Sequence, residues 1–159
     1  MVKIEMLCVG KLKEKYLNEA CEEYIKRLKP FCKFKMVEIP EYKCSNPNES
    51  QIKKIVEEEG NRILKRLNNS SFKISLCIEG RMMSSQELSS KSSKLLTGGV
   101  SNISLIIGGS YGLSQKVKQV SNFKLSISPL TFPHQLARVI LLEQIYRIFT
   151  IQNKITYHK

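Results

Sequence analysis

The residues best suited to chemistry lie in the second half of the chain. Ile106-Ile107-Gly108-Gly109-Ser110-Tyr111-Gly112 places glycines directly after an apolar run. Glycine lets a ligand approach the backbone because no Cβ stands in the way. A helix starting just beyond would offer free N–H groups. The Lys-Ser/Thr ending of a P-loop is missing, and G-G-x-x-G is not the dinucleotide spacing G-x-G-x-x-G. A tight strand–helix turn with no ligand stays open as the reading of this segment. A second loop, Ser126-Ile127-Ser128-Pro129-Leu130-Thr131-Phe132-Pro133-His134, is bracketed by two prolines, and Pro133 suits the first turn of a helix. Ligands of open α/β sheets sit at the carboxyl ends of strands. There the loops after the fourth and fifth strands would be neighbours and form one pocket; a rigid connection without a ligand is the alternative. His134 falls at a helix start, where the dipole disfavours the imidazolium. It is either a base or, as a single histidine more often is, a capping or packing residue. Arg138 lies one turn on, on the same face. Glu143 and Arg147 stand at i,i+4 and should pair. The tail Thr156-Tyr157-His158-Lys159 groups a phenol, an imidazole and an ammonium, although a chain end is normally frayed.

These residues must be carried by alternating strands and helices. Strands are predicted at residues 2–9, 34–39, 72–78, 103–107 and 123–128. Helices are predicted at 15–28, 50–67, 85–96, 113–120 and 134–151. The first helix carries Leu17, Ala20, Cys21, Tyr24, Ile25 and Leu28 on one face and stops before Pro30. Residues 41–50 read as a loop, and Glu79-Gly80-Arg81 as a turn. The fourth strand is apolar throughout, hence central and parallel. The last helix is apolar almost all round, which in so small a chain implies a subunit interface. The alternation predicts an α/β fold: a mainly parallel sheet flanked by helices, in one domain over residues 1–159.

Composition narrows the partners. The 159 residues carry a net charge of +12, with 26 Lys+Arg against 14 acids. Every acid is Glu; without Asp, an aspartic dyad is excluded and divalent-metal cages are disfavoured. Residues 81–159 hold ten basic residues and two acids, so the second half is nearly acid-free. A polyanion, nucleic acid before a membrane surface, is the expected partner, with a lysine-rich composition bias as the plainer account. Five cysteines, an odd number without C-x-x-C spacing, fit neither a disulfide framework nor zinc, so a reducing cytoplasm and no metal are expected. The first residues lack the pattern of a signal peptide, and no apolar stretch reaches the length of a membrane span.

The motifs are more specific together than singly. Val9-Gly10-Lys11-Leu12-Lys13, Gly80-Arg81-Met82-Met83-Ser84-Ser85, the Gly108–Gly112 turn, Thr131-Phe132-Pro133-His134-Gln135, Arg138, Glu143-Gln144-Ile145-Tyr146-Arg147 and Tyr157-His158-Lys159 follow in this order. In that order and at that spacing the chain closely resembles the ribosomal RNA large subunit methyltransferase H family of the SPOUT methyltransferases, from residue 2 to 159. The resemblance implies a SPOUT-type α/β knot, a C-terminal trefoil threaded around residues 105–127 that would form an S-adenosylmethionine pocket. It implies a homodimer with the active site at the interface. The implied reaction methylates N3 of a pseudouridine in helix 69 of 23S rRNA, within the assembled 70S ribosome. Carried over residue by residue, the cofactor contacts fall on Leu76, Gly108, Ile127, Ser128, Pro129, Leu130, Thr131 and Phe132; Pro129 offers no backbone donor. Tyr157, His158 and Lys159 resemble a tail that folds into the partner's pocket. His158 would be base or orienter, Tyr157 would stack on or hydrogen-bond the nucleobase, and Arg138 and Lys159 would bind phosphate or the anionic base. Two rival expectations are a non-catalytic knotted ribosome- or RNA-binding factor and a SPOUT methyltransferase acting on tRNA.

Overall fold

The computed structural model describes residues 1–157. The core starts from two strands that are apolar on both faces, β1 (Lys3–Val9) and β4 (Asn102–Ile107). Met6, Leu7, Cys8 and Ile106 are almost wholly buried. Such strands must lie inside a sheet covered on both sides. They do: β2 (Lys33–Ile39), β3 (Phe72–Met82) and β5 (Phe123–Ser126) complete a sheet ordered β2-β1-β4-β3-β5. All its pairings are parallel. The central place of β4 is as its composition required.

Side chains alternate between the faces, as the two-residue period demands. Ile4, Met6, Cys8, Ile103, Leu105 and Ile107 pack with α1 (Lys15–Leu28) and α5 (His134–Gln152). α3 (Ser85–Thr97) packs beside α5 on the same side. Leu7, Val9 and Ile106 pack on the other face with Ile63 and Leu67 from α2 (Glu49–Arg66) and its end, and with Val117 of α4 (Gln115–Val120). Capping fixes the helix starts. Asn48 and Ser84 head reciprocal capping boxes with Gln51 and Glu87. Ser114 accepts the Val117 N–H, which starts α4 later than the predicted residue 113.

β3 departs most from expectation. Its pairing with β5 shifts register between Leu76 and Arg81, so residues 77–80 bulge out and the strand resumes at Arg81–Met82. The segment predicted as a turn is thus a bulge inside a longer strand. Gly80 permits it, because a Cβ there would lie 2.6 Å from the Leu125 carbonyl carbon and 2.8 Å from its nitrogen. β5 ends at Ser126, two residues early, as Ser126 Oγ donates to the Ser128 carbonyl and Ser128 Oγ accepts the Leu130 N–H. Among the described residues no helix is long and apolar enough to cross a membrane.

Candidate active site

A cavity of about 340 Å³ opens at the carboxyl ends of β4 and β5 and along residues 76–79 of β3. Of the expected cofactor contacts, Leu76, Gly108, Ile127, Ser128, Leu130, Thr131 and Phe132 line it; Pro129 does not. The two loops singled out from sequence do meet there, although their strands are not adjacent, because β3 runs between β4 and β5. The bulge closes the gap by bringing Cys77, Ile78 and Glu79 to the wall. Sequence reading missed these three. A glycine inside an extended run, Gly80, was the available signal.

The glycine turn is tightly folded. The Gly109 carbonyl accepts the Gly112 N–H at 3.1 Å, and Gly112 sits at φ +84°, where other residues are strained. A Cβ on Gly108 would lie 2.8 Å from the Gly112 carbonyl carbon. On the rim Glu79 pairs with Lys118, and that bond holds the Glu79 carboxyl below its usual range.

The turn rests on α2. A Cβ on Gly60 would lie 2.8 Å from that of Ser114, so this glycine lets α2 meet the start of α4. Glu59, the residue before it, is buried against Gly109. Its Oε2 accepts the Tyr42 N–H at 3.0 Å, while Oε1 has no hydrogen-bond partner among the described residues. Burial pushes this carboxyl up, and Glu41 adds to the rise. The sign follows from linkage. With a raised native pKa, stability falls as pH rises from the unfolded carboxyl pKa to the native one, and the penalty persists above. Glu59→Gln keeps the acceptor for Tyr42 and cannot ionise. Its thermal midpoint relative to wild type is therefore expected to be higher at pH 7.5 than at pH 4.5. Parallel melting curves at the two pH values would contradict this reading.

His134 opens α5 and lines the cavity, half-buried. Its Nε2 lies 3.5 Å from where a Gly10 Cβ would be, and Glu41 Oε2 lies 3.9 Å from the same point. Desolvation and the Arg138 charge lower its pKa, Glu41 opposes them, and Lys13 adds to the lowering. Arg138 shares the His134 face, as the spacing predicted, but does not reach the cavity. Its guanidinium is fully buried and turned into the floor. It donates to the carbonyls of Gly10 at 2.7 Å and Val9 at 3.3 Å, and to Glu38 at 3.4 Å. The expectation that Arg138 binds phosphate or an anionic base is corrected accordingly. Its Nη2 donates to two backbone carbonyls of this chain and its Nη1 to Glu38, while Nε has no hydrogen-bond partner among the described residues, so the side chain clamps the end of β1 under the site.

Of the tail candidates, Tyr157 lies elsewhere. Glu143 and Arg147 pair as the spacing predicted, at 2.9 Å. Tyr157 donates its OH to Glu143 at 3.2 Å, meets Tyr146 edge-on and sits under the Arg147 guanidinium. Burial, with hydrogen bonding to Tyr24 and the Glu143 charge, pushes the Tyr157 phenol up to about 12, so it is neutral at pH 7. His158 and Lys159 lie outside the described residues. Glu143 is nine residues along α5 from His134, or about 13 Å of helix rise. The cavity and the Tyr157 anchor thus occupy different ends of one helix. Among the described residues no group of His, Cys and Glu is placed to hold a metal ion.

A parallel α/β sheet with a glycine-framed cavity at its carboxyl ends defines a ligand-binding fold; comparison with known proteins identifies its kind. The family model described as predicted SPOUT methyltransferase matches residues 2–158, and the chain belongs to that family. It is 46% identical over 159 residues to the ribosomal RNA large subunit methyltransferase H of Streptococcus mutans, covering 99% of this chain and 100% of that protein. It is 47% identical to the protein of the same name from Leuconostoc mesenteroides, covering 98% and 99%. The family resemblance carried by the motifs is thereby borne out. A solved methylase family protein from Haemophilus influenzae shares the fold at a TM-score of 0.54 and 11% identity, covering 99% of this chain and 70% of that one.

Proposed function

We propose that the protein transfers the methyl group of S-adenosylmethionine to N3 of a pseudouridine in helix 69 of 23S rRNA, in the assembled ribosome, as a cytoplasmic homodimer. The observation that carries this reading is the cavity itself, built by the loop and turn that the resemblance assigns to the cofactor. The donor set fits such a ligand. Leu76, Leu130 and Phe132 offer apolar surface for a nucleobase face, and Gly108 lets a ligand reach the backbone. S-adenosylmethionine supplies an activated methyl group on a sulfonium; the chain's part is to hold it in line and exclude water.

The dimer gives the tail its place. The Tyr157 anchor stands apart from the cavity of its own chain, whereas two copies packed with their α5 helices crossed would bring each tail to the partner's cavity. Exposed apolar side chains support such packing: Ile78 and Leu130 line the cavity, Met82 ends β3, Tyr111 stands on the glycine turn and Leu136 on the first turn of α5. The β4-to-β5 connection must cross β3, as a trefoil threading requires. The basic second half would then surround the site and meet RNA phosphates.

A tritiated-methyl transfer assay comparing 70S ribosomes, free 50S subunits and tRNA tests the reading. Label in ribosomes supports it, and label only in tRNA refutes it. Calorimetry that detects no S-adenosylmethionine binding would favour a non-catalytic ribosome-binding factor.

A further inference from the structure

We propose that His134 is the proton acceptor of the site, its Nε2 taking the proton from the nucleobase nitrogen that receives the methyl group. This rests on the methyltransferase reading above and goes beyond it, since that reading leaves the removal of the imide proton to the tail.

The cavity lining supports the choice by elimination. Cys77, Glu79, Lys118 and His134 are its titratable side chains among the described residues. Burial pushes the Cys77 thiol up, so it stays protonated. Glu79 and Lys118 are committed to one another. Glu59 is walled off behind Gly109, and Tyr157 is held at the far part of α5. Of these four side chains, His134 is the one left neither protonated by burial nor ion-paired, and its Nε2 stands 3.5 Å from the point where a Gly10 Cβ would lie. None of the hydrogen bonds among the described residues engages its imidazole, whereas Arg138 beneath it is held by three acceptors.

The surroundings keep that lone pair available. Gly10 faces Nε2 without a side chain, and its φ of +89° bars most substitutes. Its carbonyl is fixed by Arg138 and its N–H by the Ile39 carbonyl, so the wall opposite the imidazole is rigid. The charged groups facing His134 are Arg138 on its own helix, Lys13 from the β1–α1 loop and Glu41 from the β2–α2 loop. The two cations and the helix dipole oppose a resting imidazolium. Glu41 favours the cation once it forms. A base that is neutral at rest and steadied when protonated is what general-base transfer needs. In the step, the imide N–H bond breaks and its proton passes to Nε2. The electron pair left on nitrogen forms the bond to the methyl carbon as the S–C pair returns to sulfur. The imidazolium then releases its proton to water.

The chain holds two histidines, so labelled imidazole NMR of the full-length dimer resolves them, with His158→Gln completing the assignment. In the protein without cofactor, the His134 signal is expected to titrate below the usual histidine range. It should also shift when a pseudouridine-containing RNA stem-loop is added. His134→Asn is expected to bind S-adenosylmethionine as wild type does and to lose roughly 10²–10⁴-fold in single-turnover transfer to 70S ribosomes. Its residual rate should climb with hydroxide, where the wild-type rate levels off. His134→Gln serves as the second variant should the first melt early.

Parallel pH profiles for variant and wild type, an unperturbed His134 signal with RNA, or weakened cofactor binding at an unchanged saturating rate would each overturn the proposal. Wild-type protein that transfers no methyl group would overturn the functional reading itself. The NMR titration needs no turnover, so the two failures are distinguishable.

Discussion

Deleting residues 157–159 is expected to abolish methyl transfer while leaving S-adenosylmethionine affinity at the wild-type value. The reason is geometric. The cavity is built from the bulge of β3, the carboxyl ends of β4 and β5 and the first turn of α5, and Tyr157, the described residue of the three, does not line it. Tyr157 is bound instead to Glu143, Tyr146 and Arg147, about 13 Å further along the helix. A tail so anchored serves a second copy better than its own. That yields a sharper outcome. Thr131→Trp fills the cavity and leaves the tail intact, so each defective chain carries what the other lacks. Co-assembly should restore about a quarter of wild-type activity, because random pairing in a two-fold dimer gives half of the assemblies one intact site of two. The measurement is single-turnover labelling of 70S ribosomes by each variant and by the mixture, with size-exclusion chromatography confirming dimers. An inactive mixture of well-assembled dimers would show that the tail acts within its own chain. Full activity of the truncated protein would remove the tail from the mechanism.

What was legible in the sequence had a local physical origin. The apolar run of β4 announces a strand buried on both faces, and the structure puts it at the centre of the sheet. The Glu143–Arg147 pair follows from helical spacing alone. The loop at 127–132 was legible through its prolines and its place after a strand. Features that depend on how distant segments register were not. Glu57-Glu58-Glu59 reads as a solvated stretch of a charged helix, yet Glu59 is buried because the phase of α2 turns it toward Tyr42 and Gly109. Residues 77–79 enter the cavity because of a register shift against β5, which no property of β3 alone predicts apart from Gly80. Arg138 shows the limit most plainly. The i,i+4 spacing placed it beneath His134, but whether its guanidinium pointed to a ligand or to the floor depended on carbonyls 128 residues earlier in the chain.

That inward turn makes Arg138→Met the variant with the largest expected cost to stability. A methionine fills much of the volume but leaves the buried Val9 and Gly10 carbonyls without the donors they now have. An unsatisfied buried polar group costs about 1–3 kcal/mol. Two of them imply a loss of roughly 3–5 kcal/mol, or a thermal midpoint about 10 °C lower in a chain of this size. Glu38 adds little, being partly exposed and already an acceptor for the Leu12 N–H. Arg138→Lys keeps the charge but replaces a planar fork by a single ammonium, so it should fall between the two. The same substitution reports on the site. Desolvation leads and the Arg138 cation follows among the influences that lower the His134 pKa, so removing the cation must raise it. The histidine NMR titration of Arg138→Met should therefore move toward higher pH, and that of Arg138→Lys should move less. A melting curve close to wild type would mean that the clamp contributes little to the fold. A lowered midpoint with an unmoved His134 titration would mean that Arg138 supports the end of β1 without setting the charge state of the imidazole above it. Both effects appearing together is the expected result, because one buried cation holds the carbonyl of Gly10 and faces the ring that stands opposite that same glycine.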